Sequence, residues 1–166
     1  MRRMFIAAAV IAAAVIAAPV AAAVAQAPTS GPAYVAKAGA GDQYEIQSSR
    51  LLLQTTHNAK LRDFANMMIR DHTNSTAKVK AATQRAGITV PPPHLDAMGT
   101  RNVAALRGAK GEARDRLYVT QQKAAHQQAL ALHQGYAAHG SVPALKAVAG
   151  EIAPVVQTHL TALQSM

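Results

Sequence analysis

The chain has 166 residues, the length of one domain, with 17 Lys and Arg against 8 Asp and Glu and a formal net charge of +9. Half of it is hydrophobic but only 4% is aromatic, and Cys and Trp are absent. A disulfide scaffold, a zinc finger, an iron–sulfur cluster and thiol catalysis are thereby excluded, and a β-sandwich or barrel lacks the aromatic strands it needs.

Met1 to Met4 carries Arg2 and Arg3, and Phe5 to Ala18 is an unbroken apolar run ended by Pro19. Ala23-Val24-Ala25 then supplies small residues at the −3 and −1 positions, which predicts a signal peptide cleaved before Gln26. An uncleaved anchor is the alternative, since Phe5 to Val24 is about long enough to span a bilayer. Either way the body is expected outside the cytoplasm, periplasmic or secreted, with no transmembrane segment left after cleavage. The chain divides into a signal peptide (1–25), a linker (26–33) and a helical domain (34–165). Its basic residues, such as Arg50, Lys60, Arg70 and Lys78, are scattered and have no aromatic residues between them for base stacking. They read as solvated helix faces, suited to an anionic envelope surface or an envelope protein and not to nucleic acid.

Pro32 suits a first helical position behind Ser30-Gly31, so a helix is expected from Pro32 to Thr56, weakened by Gly39 and Gly41. Asn58 reads as the N-cap of a second helix over Ala59 to Ala86, with Gly87 as its left-handed stop. Pro91-Pro92-Pro93 makes a stiff extended connector, followed by a short helix from Leu95 to Arg107. A third long helix begins near Glu112 and ends at Gly140. Ser141 is expected to cap a fourth, Val142 to Gln164, kinked at Pro154. Leu61, Phe64, Met68, His72, Ser75 and Val79 share one face of the second long helix. Leu145, Val148, Ile152, Val155, Val156, His159 and Leu163 share one face of the last, in the rhythm of packed helices. The fold class is therefore all-α, an antiparallel four-helix bundle with a short extra helix in the central crossover.

Candidate chemistry lies in the histidines. His57, His94 and His139 fall at turns, whereas His72, His126, His133 and His159 fall within helices. Glu45 stands about 12 residues before the first hairpin turn and His72 about 14 beyond it, roughly 18 and 21 Å from the same end of the bundle. His126 and His159 are similarly level across the second hairpin. Glu45, His72, His126 and His159 thus form one polar layer, one residue per long helix. A divalent metal ion, zinc, copper or iron, would satisfy such a buried set; hydrogen-bonded core histidines are the alternative. Asp71, about 100° around the helix from His72, is placed to orient a neighbour, and Met67 and Met68 read as packing.

Glu45 together with "MMIRDHTNSTAKVKAATQRAGI" (Met67–Ile88), "YVTQQKAAHQQAL" (Tyr118–Leu130) and "PVVQTHLTAL" (Pro154–Leu163) resembles the bacterial family called domain of unknown function 4142, sometimes labelled outer membrane proteins. The resemblance spans about Tyr34 to Leu163 and implies a ferritin-like bundle in the cell envelope. Asp71 and His72, His126, and His159 five residues after Pro154 match its pattern. Ala125 departs from it, because the family often has an acid just before that histidine. No Glu is followed by His three residues later, so di-iron chemistry does not carry over. The expected function is a non-catalytic exported envelope protein binding one metal through the Glu/His layer. A metal-free module on anionic envelope surfaces is the first alternative. A mononuclear metalloenzyme is the second, without a dedicated base or substrate pocket.

Overall fold

A computed structural model describes residues 28–166, so the expected signal peptide and its cleavage site lie outside the described residues. The chain forms α1 (Gly31–Leu53), α2 (Ala59–Arg85), α3 (Ala97–Gly108), α4 (Gly111–His139) and α5 (Pro143–Gln164). No strand occurs among the described residues.

Local chemistry explains most boundaries. The Asn58 side chain accepts from the Leu61 amide at 3.2 Å and so satisfies one of the orphan donors that open α2. At the far end Gly87 has φ 65°, and the Ile88 and Gly87 amides donate back to the Thr83 and Gln84 carbonyls. That pairing needs a left-handed residue, which glycine supplies without a Cβ penalty. Asp96 caps α3 through the Gly99 amide at 2.7 Å. The first helix ends at Leu53, short of the expected Thr56, because the Thr55 and Thr56 amides turn back to the Leu52 carbonyl. Ser141 does not cap the last helix. Pro143 opens α5 and forces an extended residue before it, which moves the cap position to Val142. The Ser141 amide instead donates to the Thr29 carbonyl at 2.9 Å and ties the α4–α5 turn to the segment ahead of α1. Helix α5 runs on through Pro154 as one element, and Val155, expected on its packed face, is turned outward at 41% exposure because its neighbour Val156 takes the inward position.

The four long helices form a closed ring in which α1 packs on α2 and α4, and α5 packs on α4 and α2. Cross-helix pairs fix every neighbour as antiparallel. Tyr34 meets His133 and Ser49 meets Tyr118 between α1 and α4, while Lys60 meets Ser165 and Lys78 meets Glu151 between α2 and α5. Helices α2 and α4 therefore run the same way, and the connection between them travels the length of the bundle. It lies along α1: Pro93 packs where a Cβ on Gly39 would stand only 2.8 Å away, which is why α1 tolerates a helix-weakening glycine there. Helix α3 then covers the seam of α1 and α4.

Two apolar clusters fill the ends of the bundle. One gathers Tyr34, Val79, Tyr136, Leu145 and Val156; the other gathers Leu52, Leu61, Phe64, Met68, Tyr118 and Leu163. Between them lies a polar layer, and it holds the site.

Candidate metal centre

His72 sits one turn beyond the buried Met68 on α2, His126 two turns beyond Tyr118 on α4, and His159 one turn before Leu163 on α5. Apolar stripes point His72 and His159 inward on α2 and α5, and His126 shares the inner face of α4 with Tyr118, Gln122 and His133, so all three imidazoles are buried. Their ring centroids stand 5.3, 5.6 and 5.7 Å apart. One nitrogen from each lies within 4.8 Å of the other two.

Hydrogen bonds on the outer side of each ring decide which nitrogen carries the proton. His72 Nδ1 donates to Asp42 at 2.8 Å, and Asp42 is held in turn by the Thr76 hydroxyl at 2.8 Å. His126 Nδ1 donates to the Gln122 carbonyl at 2.9 Å. His159 Nε2 donates to Asp71 at 3.2 Å, and Arg70 holds Asp71 at 3.0 Å. All three partners accept only, so the inner nitrogens, His72 Nε2, His126 Nε2 and His159 Nδ1, are left as lone pairs in the neutral rings. His72 Nε2 is buried without a partner.

His126 Nε2 and His159 Nδ1 face each other at 3.3 Å. A proton on either would make this a hydrogen bond, but a neutral ring would then turn a lone pair toward the Gln122 carbonyl or the Asp71 carboxylate. A metal ion removes the conflict. Two imidazole nitrogens, each about 2.0–2.1 Å from one tetrahedral ion, stand roughly 3.3–3.4 Å apart. The residues present fit an ion with three nitrogen ligands, each oriented from behind by a carboxylate or a carbonyl.

Electrostatics agree. Burial, helped by the neighbouring His72 and His159, lowers the His126 pKa to about 3. Burial and His72 lower His159 to about 4. Both rings are therefore neutral, as ligands must be. Burial also lowers His72, but its hydrogen bond to Asp42 and the charges of Asp42, Glu45 and Asp71 outweigh that and raise it. Proton and metal thus compete at His72 first.

Glu45, expected in the same layer, is buried beside the three rings but outside the group whose ligand atoms converge. Its Oε1 lies 3.6 Å from His126 Nδ1, the nitrogen turned away from the cluster, and its Oε2 has no partner. Burial raises its pKa to about 7 against the opposing charge of His72. His133 is buried elsewhere, its Nδ1 2.9 Å from the Tyr34 hydroxyl. Met68 belongs to the apolar cluster of that end, with Met67 packed against it. Asp71 orients His159. Asp42 was the residue that sequence reasoning missed; its place one turn before Glu45 on the same helix was the available signal.

With this geometry in view, comparison with known proteins adds family and fold. The sequence matches the model described as Domain of unknown function (DUF4142) over residues 17–166. The chain belongs to this family. No curated protein matches it. Among solved structures it is similar to CopM in its Cu(II)-bound form, at 17% identity and a TM-score of 0.68, over 82% of this chain and 94% of that one. CopM in an Ag-bound form gives 18% identity and a TM-score of 0.66, over 82% and 93%. A DUF305 fragment from Deinococcus radiodurans gives 15% identity and a TM-score of 0.71, over 84% and 95%. At these identities the likeness is one of fold: a DUF4142 chain built as a helical bundle. No helix among the described residues is long and apolar enough to cross a membrane.

Proposed function

We propose that the protein is a non-catalytic, exported metal-binding protein of the cell envelope that holds one transition-metal ion on His72, His126 and His159. The observation that carries this reading is the convergence of three buried imidazole nitrogens, two of them 3.3 Å apart, on rings whose other nitrogens each face an acceptor. An all-nitrogen set without thiolate suits copper or zinc better than iron, and among divalent ions Cu(II) should bind tightest. CopM, whose fold this chain resembles, has been solved with Cu(II) and with Ag, which supports the same end of the series. Three ligands leave a position open, while Asp42, Asp71 and the Gln122 carbonyl are spent on orienting the imidazoles and the Glu45 carboxyl beside them has an unpaired oxygen. The site therefore serves to hold an ion, in buffering, delivery or sensing, ahead of turnover. Export rests on the charged and apolar leader of residues 1–25.

Titrating the metal-free protein with Cu(II) or Zn(II) tests the reading. Binding should saturate at one ion per chain in the parent and disappear in a variant carrying His72→Ala, His126→Ala and His159→Ala, with circular dichroism showing both to be helical. Equal binding by the two proteins would refute the site.

A further inference from the structure

Deep between α1, α3 and α4 lies a cleft of about 590 Å³. Asp42, Glu45 and His72 line it, whereas His126 and His159 do not. His72 is therefore the one residue common to the cleft and the three-imidazole cluster. Asp96 lines the cleft as well, so three of the chain's 8 acidic residues meet there against a single lysine, Lys37, in a protein with net charge +9. Asp42 is already engaged by His72 and Thr76. Glu45 is not: it is buried to 3% exposure, and its Oε2 has no partner.

Other sides of the imidazoles are less suited to a cation. Apolar clusters fill both ends of the bundle. On the α2–α5 side His159 is backed by Asp71, whose charge is taken by the Arg70 guanidinium at 3.0 Å. The cleft combines negative charge, open volume and contact with a ligand residue.

We infer that this cleft is the route by which the metal ion passes between solvent and the imidazoles, with Glu45 as the carboxylate that takes it up on the way. The inference rests on the metal reading above. A carboxylate oxygen attracts the hydrated ion and offsets its charge during desolvation, and the imidazole nitrogens then replace it as the preferred donors of a borderline ion. Glu45 lies next to His126 without belonging to the converging group, and its unpaired Oε2 is free to take up the ion.

Gly41 offers a clean test. It lines the cleft, and a Cβ built on it meets nothing within 4 Å, so Gly41→Leu should obstruct the route without a clash. Rapid mixing of the metal-free protein with Cu(II), and capture of released Cu(II) by a chelator, give the two exchange rates. In Gly41→Leu both should fall together, by about tenfold or more, with the Kd unchanged because no ligand is touched. Gly150→Leu, on the outer side of α5, should exchange like the parent; Ala124→Leu, on the α4 wall, is a second obstruction should Gly41→Leu fold poorly. Glu45→Gln should slow association while leaving the absorption spectrum of bound Cu(II) unaltered. Parent-like exchange in the obstructed variants would overturn the route, and a changed spectrum in Glu45→Gln would make Glu45 a resident ligand instead. Failure of the parent itself to bind Cu(II) would instead overturn the metal reading, and the route with it.

Discussion

Asp42 illustrates how a residue that touches no ion can set the properties of a site. Its carboxylate receives the Nδ1 proton of His72 at 2.8 Å and is steadied by Thr76, so His72 presents Nε2 inward. Asp42→Asn removes the charge, and the amide can turn its NH2 toward the ring and reverse the tautomer. Cu(II) or Zn(II) affinity should drop by about 10- to 100-fold, the usual cost of losing such a partner. Competition titration against a chelator measures it, and an unchanged affinity would mean that Asp42 is only structural. The three histidines were legible in the sequence because each stands at a height fixed by the helical rise, and His72 and His159 also sit on apolar stripes. Asp42 was not, since which acid on α1 faces which imidazole depends on a helix rotation that spacing alone leaves free. Glu45 fell in the right layer but on the outer side of His126, a distinction finer than the turn to which height arithmetic resolves.

Helix ends carry the next level of information. Asn58→Ala would leave the Leu61 amide unpaired at the start of α2, and should cost about 1 kcal/mol, with a range of roughly 0.5–2, in urea denaturation. A loss well below that range would mean that water replaces the cap. The first hairpin was readable because Asn58 and Gly87 each have one dominant physical use, an N-cap and a left-handed stop. Ser141 misled for a related reason: a serine next to a helix start looks like a cap, but Pro143 sets the start one position later and leaves Ser141 to bond Thr29. Gly39 and Gly41 read alike as helix-weakening residues and differ in the structure. Pro93 presses on the first, while the second borders open space in the cleft. Only the path of the crossover separates them.

Across the whole molecule, stability and site are coupled through protons. In the metal-free fold His126 stays neutral down to about 3, and burial holds His133 and His159 neutral down to about 4. An unfolded chain would take up those protons near the ordinary histidine value of about 6.5. Glu45 acts in the opposite sense, because the fold keeps its proton up to about 7 while the unfolded chain loses it near 4.5. His72, raised, holds its proton in both states below the ordinary value and does not contribute in that range. Between about pH 4.5 and 6.5 the three imidazoles outweigh the one carboxyl, so unfolding takes up protons and stability falls with the pH. Each net proton contributes about 1.4 kcal/mol per pH unit. Denaturant midpoints of chelator-treated protein at several pH values across this window should decline steadily toward the acid side; a flat or rising profile would contradict neutral buried rings. The central claim, that His72, His126 and His159 form a metal site, is tested most directly by the metal content of the untagged protein. The same analysis is applied to the variant with His72, His126 and His159 all changed to Ala. Near one copper or zinc ion per chain in the parent and none in the helical variant is the predicted result. Equal metal in both, or none in the parent even after incubation with Cu(II) and Zn(II), would contradict it and leave the histidines as hydrogen-bonded core residues.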